Sequence, residues 1–384
     1  MKKTLFISSW YPTKREPNFG VFVKEHAKAI QTTTNEIVVL AIVVHRGKPW
    51  WSTTVTDTHD ENGVRTVLIE ITTCFRDWVY HATPLQYCMV KRIFHQQIQP
   101  DFSPDIIHSN VIFPAGIIGH FLSRKLKKPH IITEHWTKVK QFGKMPIFSY
   151  FGKKAYKQAY KILPVSSYLQ SEIENTFSIN NDKFTVIGNV IDNNVFSYKE
   201  KNPVENTLRL CAIATWTKHK YPAKQPELLI NAISEFQKQT KNTVVQLTMI
   251  GGGNKIDDLK ALCKEKQVAA NFTGALPKTE IVEYLRNADF FVHPTIVETF
   301  GVVIAEALMT GTPVICSNLS VLQERVNENN GILCENTIEG WVNGLKNAID
   351  TSFNHKQIAV NIKNKYSLET IGKAIEEVYA KINN

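Results

Sequence analysis

No apolar run in this 384-residue chain approaches the roughly 20 residues that a membrane-spanning helix needs, so no spanning segment is expected. The opening MKKTLFISSWYP has two lysines and a short apolar run. No small-residue cleavage site follows, and the stretch reads as a first β-strand, not a signal peptide. The six cysteines, at positions 74, 88, 211, 263, 316 and 334, form no C-x-x-C pair. That argues against a disulfide framework or a zinc site and for the reduced thiols of a cytoplasmic protein. Also missing are a P-loop, a G-x-S-x-G elbow, an H-E-x-x-H pair and a D-x-D pair after a strand. Without the last there is no evident carboxylate cage for Mg²⁺ or Mn²⁺, and neither a metal nor a cofactor is expected. Lysine and arginine total 45 against 35 acids, a net charge of +10, yet no run of five cations occurs. With no helix-turn-helix, finger or RNA-binding signature, nucleic acid is not an expected partner. The charge leaves two readings: peripheral contact with the anionic inner face of the cytoplasmic membrane, or solubility alone.

What is present is a globular composition, 43% apolar and 21% charged, arranged as alternating strand-like and helical segments. Candidate strands in the first half are Thr4–Ser9, Glu36–Val43, Val64–Ile71, Asp105–His108, His130–Glu134, Lys161–Val165 and Phe184–Ile187. After the polar stretch YKEKNPVENT, which contains Pro203, the alternation restarts. The second set is Leu208–Thr215, Val244–Ile250, Asn271–Thr273, Asp289–His293, Pro313–Cys316 and Gly331–Leu333. Such alternation predicts an α/β protein with two parallel-sheet domains of Rossmann-like type. The first spans residues 1–200, and the C-terminal helix 366–384 returns to complete it; the second spans 201–365. In open parallel sheets ligands bind beyond the carboxyl ends of the strands, so the loops after strands are the ones to search.

One such loop is VETFG, between the strand DFFVHPT and a helix from Val302 to Met309. The helix is apolar on all faces, which predicts burial, yet it contains Glu306, and Glu298 stands before its first turn. A buried carboxylate needs donors. Either lysine or arginine pairs with these two, or they read the hydroxyls of a bound sugar. The helix start, with Gly301 before it, suits a phosphate. MIGGGN places Gly251 and Gly252 after another strand, where they fit either ligand approach or a tight turn; G-x-G-x-x-G fails because residue 256 is Ile, which disfavours a nicotinamide dinucleotide. KHKYPAK carries Lys218, Lys220 and Lys224 ahead of a helix, as diphosphate partners or as a solvated basic loop. TEHW puts His135 at a strand end, to meet a reacting group or to serve structure. Asn189 follows Gly188 at a strand end, and His293 reads as structural.

Together GNVID, GGGN, TEHW, the N-terminal SSWYPTKREPNFGVFVKEHAKAI and the long stretch from Phe272 to Ser317, with its glutamates eight apart, resemble the retaining nucleotide-sugar glycosyltransferases of family four, of bacterial type. The resemblance implies the GT-B architecture, two Rossmann-like domains facing a central cleft. It implies that Glu306 binds the donor ribose and that Glu298 lies by the transferred sugar. By the same resemblance Thr299, Phe300 and Gly301 would present backbone N–H groups, Lys224 would hold the diphosphate, and Gly20 would approach it from the first domain. His135 would contact the donor sugar near the reacting carbon, and Asn189 would line the cleft. One feature departs from the family: TWTKHKYPAK has no arginine ahead of Lys224, and Lys218 or Lys220 is left as the substitute.

The implied reaction moves a sugar from a nucleoside-diphosphate sugar to a hydroxyl of a saccharide or lipid-linked saccharide, with retention, in polysaccharide, lipopolysaccharide or glycolipid synthesis. A sugar-nucleotide epimerase or phosphorylase on the same fold, or a non-catalytic nucleotide-sugar-binding partner protein, would share the architecture. An epimerase would convert the donor without acceptor, and a binding protein would leave it intact.

Overall fold

The computed structural model describes every residue except 34, 49, 61–62, 201–205, 241–242 and 383–384. Of the polar stretch that restarts the alternation, Pro203 therefore lies outside the described residues. The chain forms two compact units, Met1–Val190 with Leu368–Asn384, and Ile191–Ser367. The division falls upstream of residue 200, because Ile191 N–H already donates to the Tyr366 carbonyl within the second unit.

The first unit is built on seven strands: β1 (Lys3–Ser8), β2 (Glu36–Arg46), β3 (Trp51–His59), β4 (Arg65–Thr73), β5 (Ile106–Asn110), β6 (His130–Glu134) and β7 (Lys161–Pro164). Their order is β3-β4-β2-β1-β5-β6-β7. Six are parallel; β1 and β2 are buried on both faces and read as continuous apolar runs, whereas β4 alternates buried and half-buried residues. Two expectations need correction. First, β3 is an antiparallel edge strand on β4. Its WSTTVTDTH is mostly solvent-exposed and threonine-rich, so it carries no apolar alternation to betray it. Second, Phe184–Ile187 is no strand. It meets β7 at one bridge, with Thr185 and Ile187 donating to the Ile162 and Pro164 carbonyls.

The C-terminal helix Leu368–Ala380 packs on the first helix, Val21–Gln31. Gly372 comes so near that a Cβ there would sit 2.5 Å from the Ala29 carbonyl oxygen. From the same helix the Tyr379 hydroxyl bonds His108 Nδ1 at 2.6 Å beneath the sheet.

The second unit has six parallel strands in the order β10-β9-β8-β11-β12-β13. They are β8 (Thr207–Ile213), β9 (Val244–Ile250), β10 (Ala270–Gly274), β11 (Phe290–His293), β12 (Val314–Ser317) and β13 (Gly331–Cys334). One core runs through Leu210, Leu247, Ile233, Phe236 and Trp341 on a single face. Among the described residues, no helix is long and apolar enough to cross a membrane.

Candidate active site

Loops at the carboxyl ends of β8, β9 and β11 meet in the second unit. The β11 loop and the segment carrying Lys224 are tied together: the Ala223 carbonyl accepts from Thr295 Oγ1 and from Ile296 N–H, each at 3.0 Å. Thr295 N–H in turn donates to Ser317 Oγ at 2.7 Å. This frame sets Lys224 Nζ directly on Glu298 Oε1. His293 Nε2 lies 2.9 Å from the same oxygen and 3.5 Å from Lys224 Nζ. Burial alone would raise the Glu298 carboxyl pKa. The Lys224 ammonium, then His293, outweigh it and hold the group at about 2. Burial also lowers the His293 pKa, and Lys224 lowers it further. Glu298 is thus an ionised carboxylate beside the Lys224 ammonium at the mouth of a helix.

The helix Val302–Met309 follows. Gly301 precedes it in the left-handed region, and the Gly301 carbonyl accepts from Ile304 and Ala305. Thr299 is half-buried and Phe300 is buried. The first N–H groups of a helix have no partner within it, and they point with the positive dipole end toward whatever lies before it. Glu306, one turn in, is buried and stands 3.9 Å from Lys278 Nζ. Both glutamates therefore face a lysine, the ion-pair alternative left open by the sequence. A pair at the mouth of an anion site and a ligand-reading role are compatible, because a diphosphate competes for the same ammonium.

The glycines of GGGN serve a close approach of two loops. At Gly251, with φ 126°, a Cβ would lie 1.8 Å from the Ala214 carbonyl oxygen, whereas a Cβ at Gly252 would make ordinary contact with Ala275. Trp216 N–H donates to the Gly252 carbonyl, and Lys255 N–H to the Trp216 carbonyl, locking the β8 and β9 loops. Lys218 and Lys220 are exposed, with Lys218 N–H bonded to Asn254 Oδ1. Neither is brought to Glu298; of the three lysines in this loop, Lys224 is.

In the first unit, Gly20 starts the first helix at φ 70°, where a Cβ would meet the Trp10 carbonyl carbon at 2.4 Å. His135 follows β6 and is buried. Its Nε2 lies 3.2 Å from Asn110 Oδ1, and its ring packs on Phe22 and edge-on to His26. Burial, then the neighbouring His26, keep its pKa well below the ordinary value, so the ring is a neutral imidazole. Asn189 is buried and its amide faces both His26 and His135.

Beneath His135 lies Glu134, whose carboxylate accepts from four donors. These are His135 and Trp136 N–H at 2.9 Å each, Ile112 N–H at 2.8 Å and the Tyr156 hydroxyl at 2.7 Å. The Ile112 bond secures a turn in which Val111 has φ 66°, a strained conformation for a β-branched residue.

Sequence reasoning missed the parts played by Lys278, His26, Asn110 and Glu134, and took His293 as structural only. No spacing marks them, since each reaches the site from a different element. Among the described residues, no group of three His, Cys, Asp or Glu could hold a metal ion.

Two family models match the chain: "Glycosyltransferase Family 4" over residues 21–195 and "Glycosyl transferases group 1" over residues 213–365. The putative teichuronic acid biosynthesis glycosyltransferase TuaC of Bacillus subtilis is 25% identical over 376 residues, 93% of this chain and 90% of that one. Among solved structures, HepE of Anabaena in complex with UDP and glucose superposes with a TM-score of 0.73 at 16% identity, over 100% of both chains. A sucrose-phosphate synthase from Thermosynechococcus elongatus gives 0.76 at 15%, over 99% of both. At such identities the superpositions speak for the fold, and the fold is GT-B. With both family models accounting for its two halves, the chain belongs to the family-four type of glycosyltransferases.

Proposed function

We propose that this glycosyltransferase takes its sugar from a nucleoside-diphosphate sugar and passes it, with retention, to a hydroxyl of a saccharide or lipid-linked saccharide. The observation that carries the reading is the ionised Glu298, paired with Lys224 before a helix that holds Glu306 one turn in. A diphosphate at that helix start gains the dipole and the first N–H groups. It also draws Lys224 away from Glu298, and the carboxylate so released accepts from hydroxyls of the transferred sugar. Glu306, within reach of Lys278, accepts from the ribose hydroxyls. As the donor bond breaks, negative charge grows on the diphosphate, and Lys224 with the helix end stabilises it electrostatically. His135, neutral by burial, serves the transferred sugar as a hydrogen-bonding group and not as a cation. The chemistry asks for no divalent cation, so transfer should survive EDTA. HepE has been seen with UDP-glucose, which makes UDP the first nucleotide to try. The experiment is thermal stabilisation by UDP-, GDP- and ADP-sugars, since binding to the folded state alone raises apparent stability. One of the three should raise the melting temperature, and Glu306→Gln should reduce that rise; no response to any of them would remove the reading.

The acceptor side is read from charge. Between Glu134 and Glu172 the chain carries lysines from Lys138 to Lys161 and no Asp or Glu. Met145, Ile147 and Tyr150, at the start of the helix Pro146–Gln158, are exposed among them. Cations around exposed apolar side chains suit an anionic bilayer, and we propose a cytoplasmic enzyme with peripheral contact at the membrane's inner face. Anionic vesicles should sediment the protein at low salt and release it at high salt, because screening shortens the attraction. Equal sedimentation with neutral vesicles would contradict this.

A further inference from the structure

In the loop between β11 and the helix Val302–Met309, Ile296 and Val297 are exposed, and Glu298 and Thr299 are half-buried. Phe300 is the side chain that anchors this turn, with 1% of its surface exposed. What lies beneath it is not aliphatic. The Arg325 guanidinium carbon sits 3.7 Å from the Phe300 ring centroid, over its face. Tyr366 packs edge-on to Phe300 at 5.2 Å. Arg325 is itself buried; its Nη1 donates to the Val321 carbonyl at 2.7 Å, and its Nη2 is 3.8 Å from Glu324. One turn before it, Leu322 reaches to 3.2 Å of where a Gly301 Cβ would stand. Residues 322–325 thus form the floor of the turn that starts the helix.

A buried guanidinium is a costly way to support a phenyl ring, which a leucine would do as well. It keeps its charge here against burial, which lowers its pKa, with Tyr366, Glu324 and Glu298 opposing that loss. Its charge therefore acts on the loop above it. A guanidinium also lies flat on an aromatic face, fixing the ring's plane where an ammonium would fix only a point. The chain has no arginine in TWTKHKYPAK, ahead of Lys224. Arg325 is too deeply buried to touch a ligand, but it restores a permanent positive charge on the protein side of the same site.

We infer that Arg325 is a positioning residue of the donor site: laid on Phe300, it fixes the turn from Glu298 to Gly301 and holds positive charge behind the phosphate position. This rests on the donor reading of that turn. The test uses the full chain with Arg325→Met, which keeps the stem and loses charge and plane, and Arg325→Lys, which keeps the charge alone. Two readouts are taken: calorimetric titration with UDP, GDP and ADP, and hydrogen exchange of the amides from Thr299 to Val303. Arg325→Met should exchange faster at those amides while β8 to β13 stay protected. It should bind the nucleotide that the wild type prefers roughly tenfold more weakly, with Arg325→Lys between the two. A folded Arg325→Met with wild-type exchange in the turn and wild-type affinity overturns the inference. So does failure of both variants to fold, which would leave Arg325 a purely structural role. If the wild type binds none of the three nucleotides, the donor reading falls, and the exchange measurement alone then decides the positioning role.

Discussion

Two glutamates follow parallel strands of the two units, Glu134 at the end of β6 and Glu298 in the loop after β11, and the protein treats them in opposite ways. Glu134 is fully buried and accepts from three backbone N–H groups and a tyrosine hydroxyl. No cation is among those donors, and burial pushes its carboxyl pKa up. Glu298 is held by Lys224 and His293, and its pKa is driven down to about 2. Neutral donors satisfy a carboxylate permanently and make it a bracket for a loop. A mobile ammonium satisfies it exchangeably, and an arriving anion can take the ammonium away. The kind of partner, more than the depth of burial, separates the carboxylate that builds a site from the one that works in it.

The largest effect should come from breaking the bracket. Glu134→Leu leaves buried N–H groups without an acceptor and releases the strained turn at Val111. The first unit should lose about 3–5 kcal/mol in urea unfolding. A loss below about 1 kcal/mol would mean that the four hydrogen bonds do not hold the loop. Next is His135→Ala, which removes a neutral polar contact above the bracket. It should leave nucleotide affinity near wild type and lower kcat by about 2–4 kcal/mol of transition-state stabilisation. A lower melting temperature with unchanged kcat would assign His135 to structure alone. Third, Glu306→Gln should weaken nucleotide binding by about 1.5–3 kcal/mol with the fold intact, the value of a hydrogen bond to a charged group. Calorimetry with the preferred nucleoside diphosphate reads this directly.

The smallest effect is in pH. In the first unit burial depresses His26 and His120 to about 4 and His130 to about 3, from 6.5. The folded state prefers these rings neutral. Their contribution is complete above pH 6.5 and is lost as pH falls, because the unfolded chain takes up protons first. In the second unit Glu298, depressed from 4.5 to about 2, favours folding above pH 4.5 and loses that contribution only below it. In the second unit burial lowers His293 in the same sense, against His26, His108, His120, His130 and His135 in the first, so between pH 6.5 and 4.5 hydrogen-exchange protection should decline further in β1 to β7 than in β8 to β13. Equal decline would erase this distinction between the units.

Much of this was legible in the sequence where a single element carried the signal. The apolar helix Val302–Met309 with its lone Glu306 showed itself by composition, and the strands β1 and β2 by their unbroken apolar runs. The edge strand Trp51–His59 did not, because exposed threonines in an edge strand have no buried face to alternate against. Lys278 and Arg325 were invisible for another reason. Each sits among residues that look like ordinary surface charge, and only the fold brings them beneath Glu306 and Phe300. The roles assigned to Gly20, Asn189 and His135 still rest on the resemblance joined to their local geometry.

The central claim is that Glu298 works in the reaction while Glu134 holds a loop. Donor turnover measured for Glu298→Gln beside Glu134→Gln, at a temperature where both are folded, tests it most directly. Glu298→Gln should lose about two orders of magnitude in kcat while Glu134→Gln stays within a few-fold of wild type, the size of effect expected from one oriented polar group at the reacting sugar. Equal losses in the two variants, or near-wild-type turnover in Glu298→Gln, would contradict it.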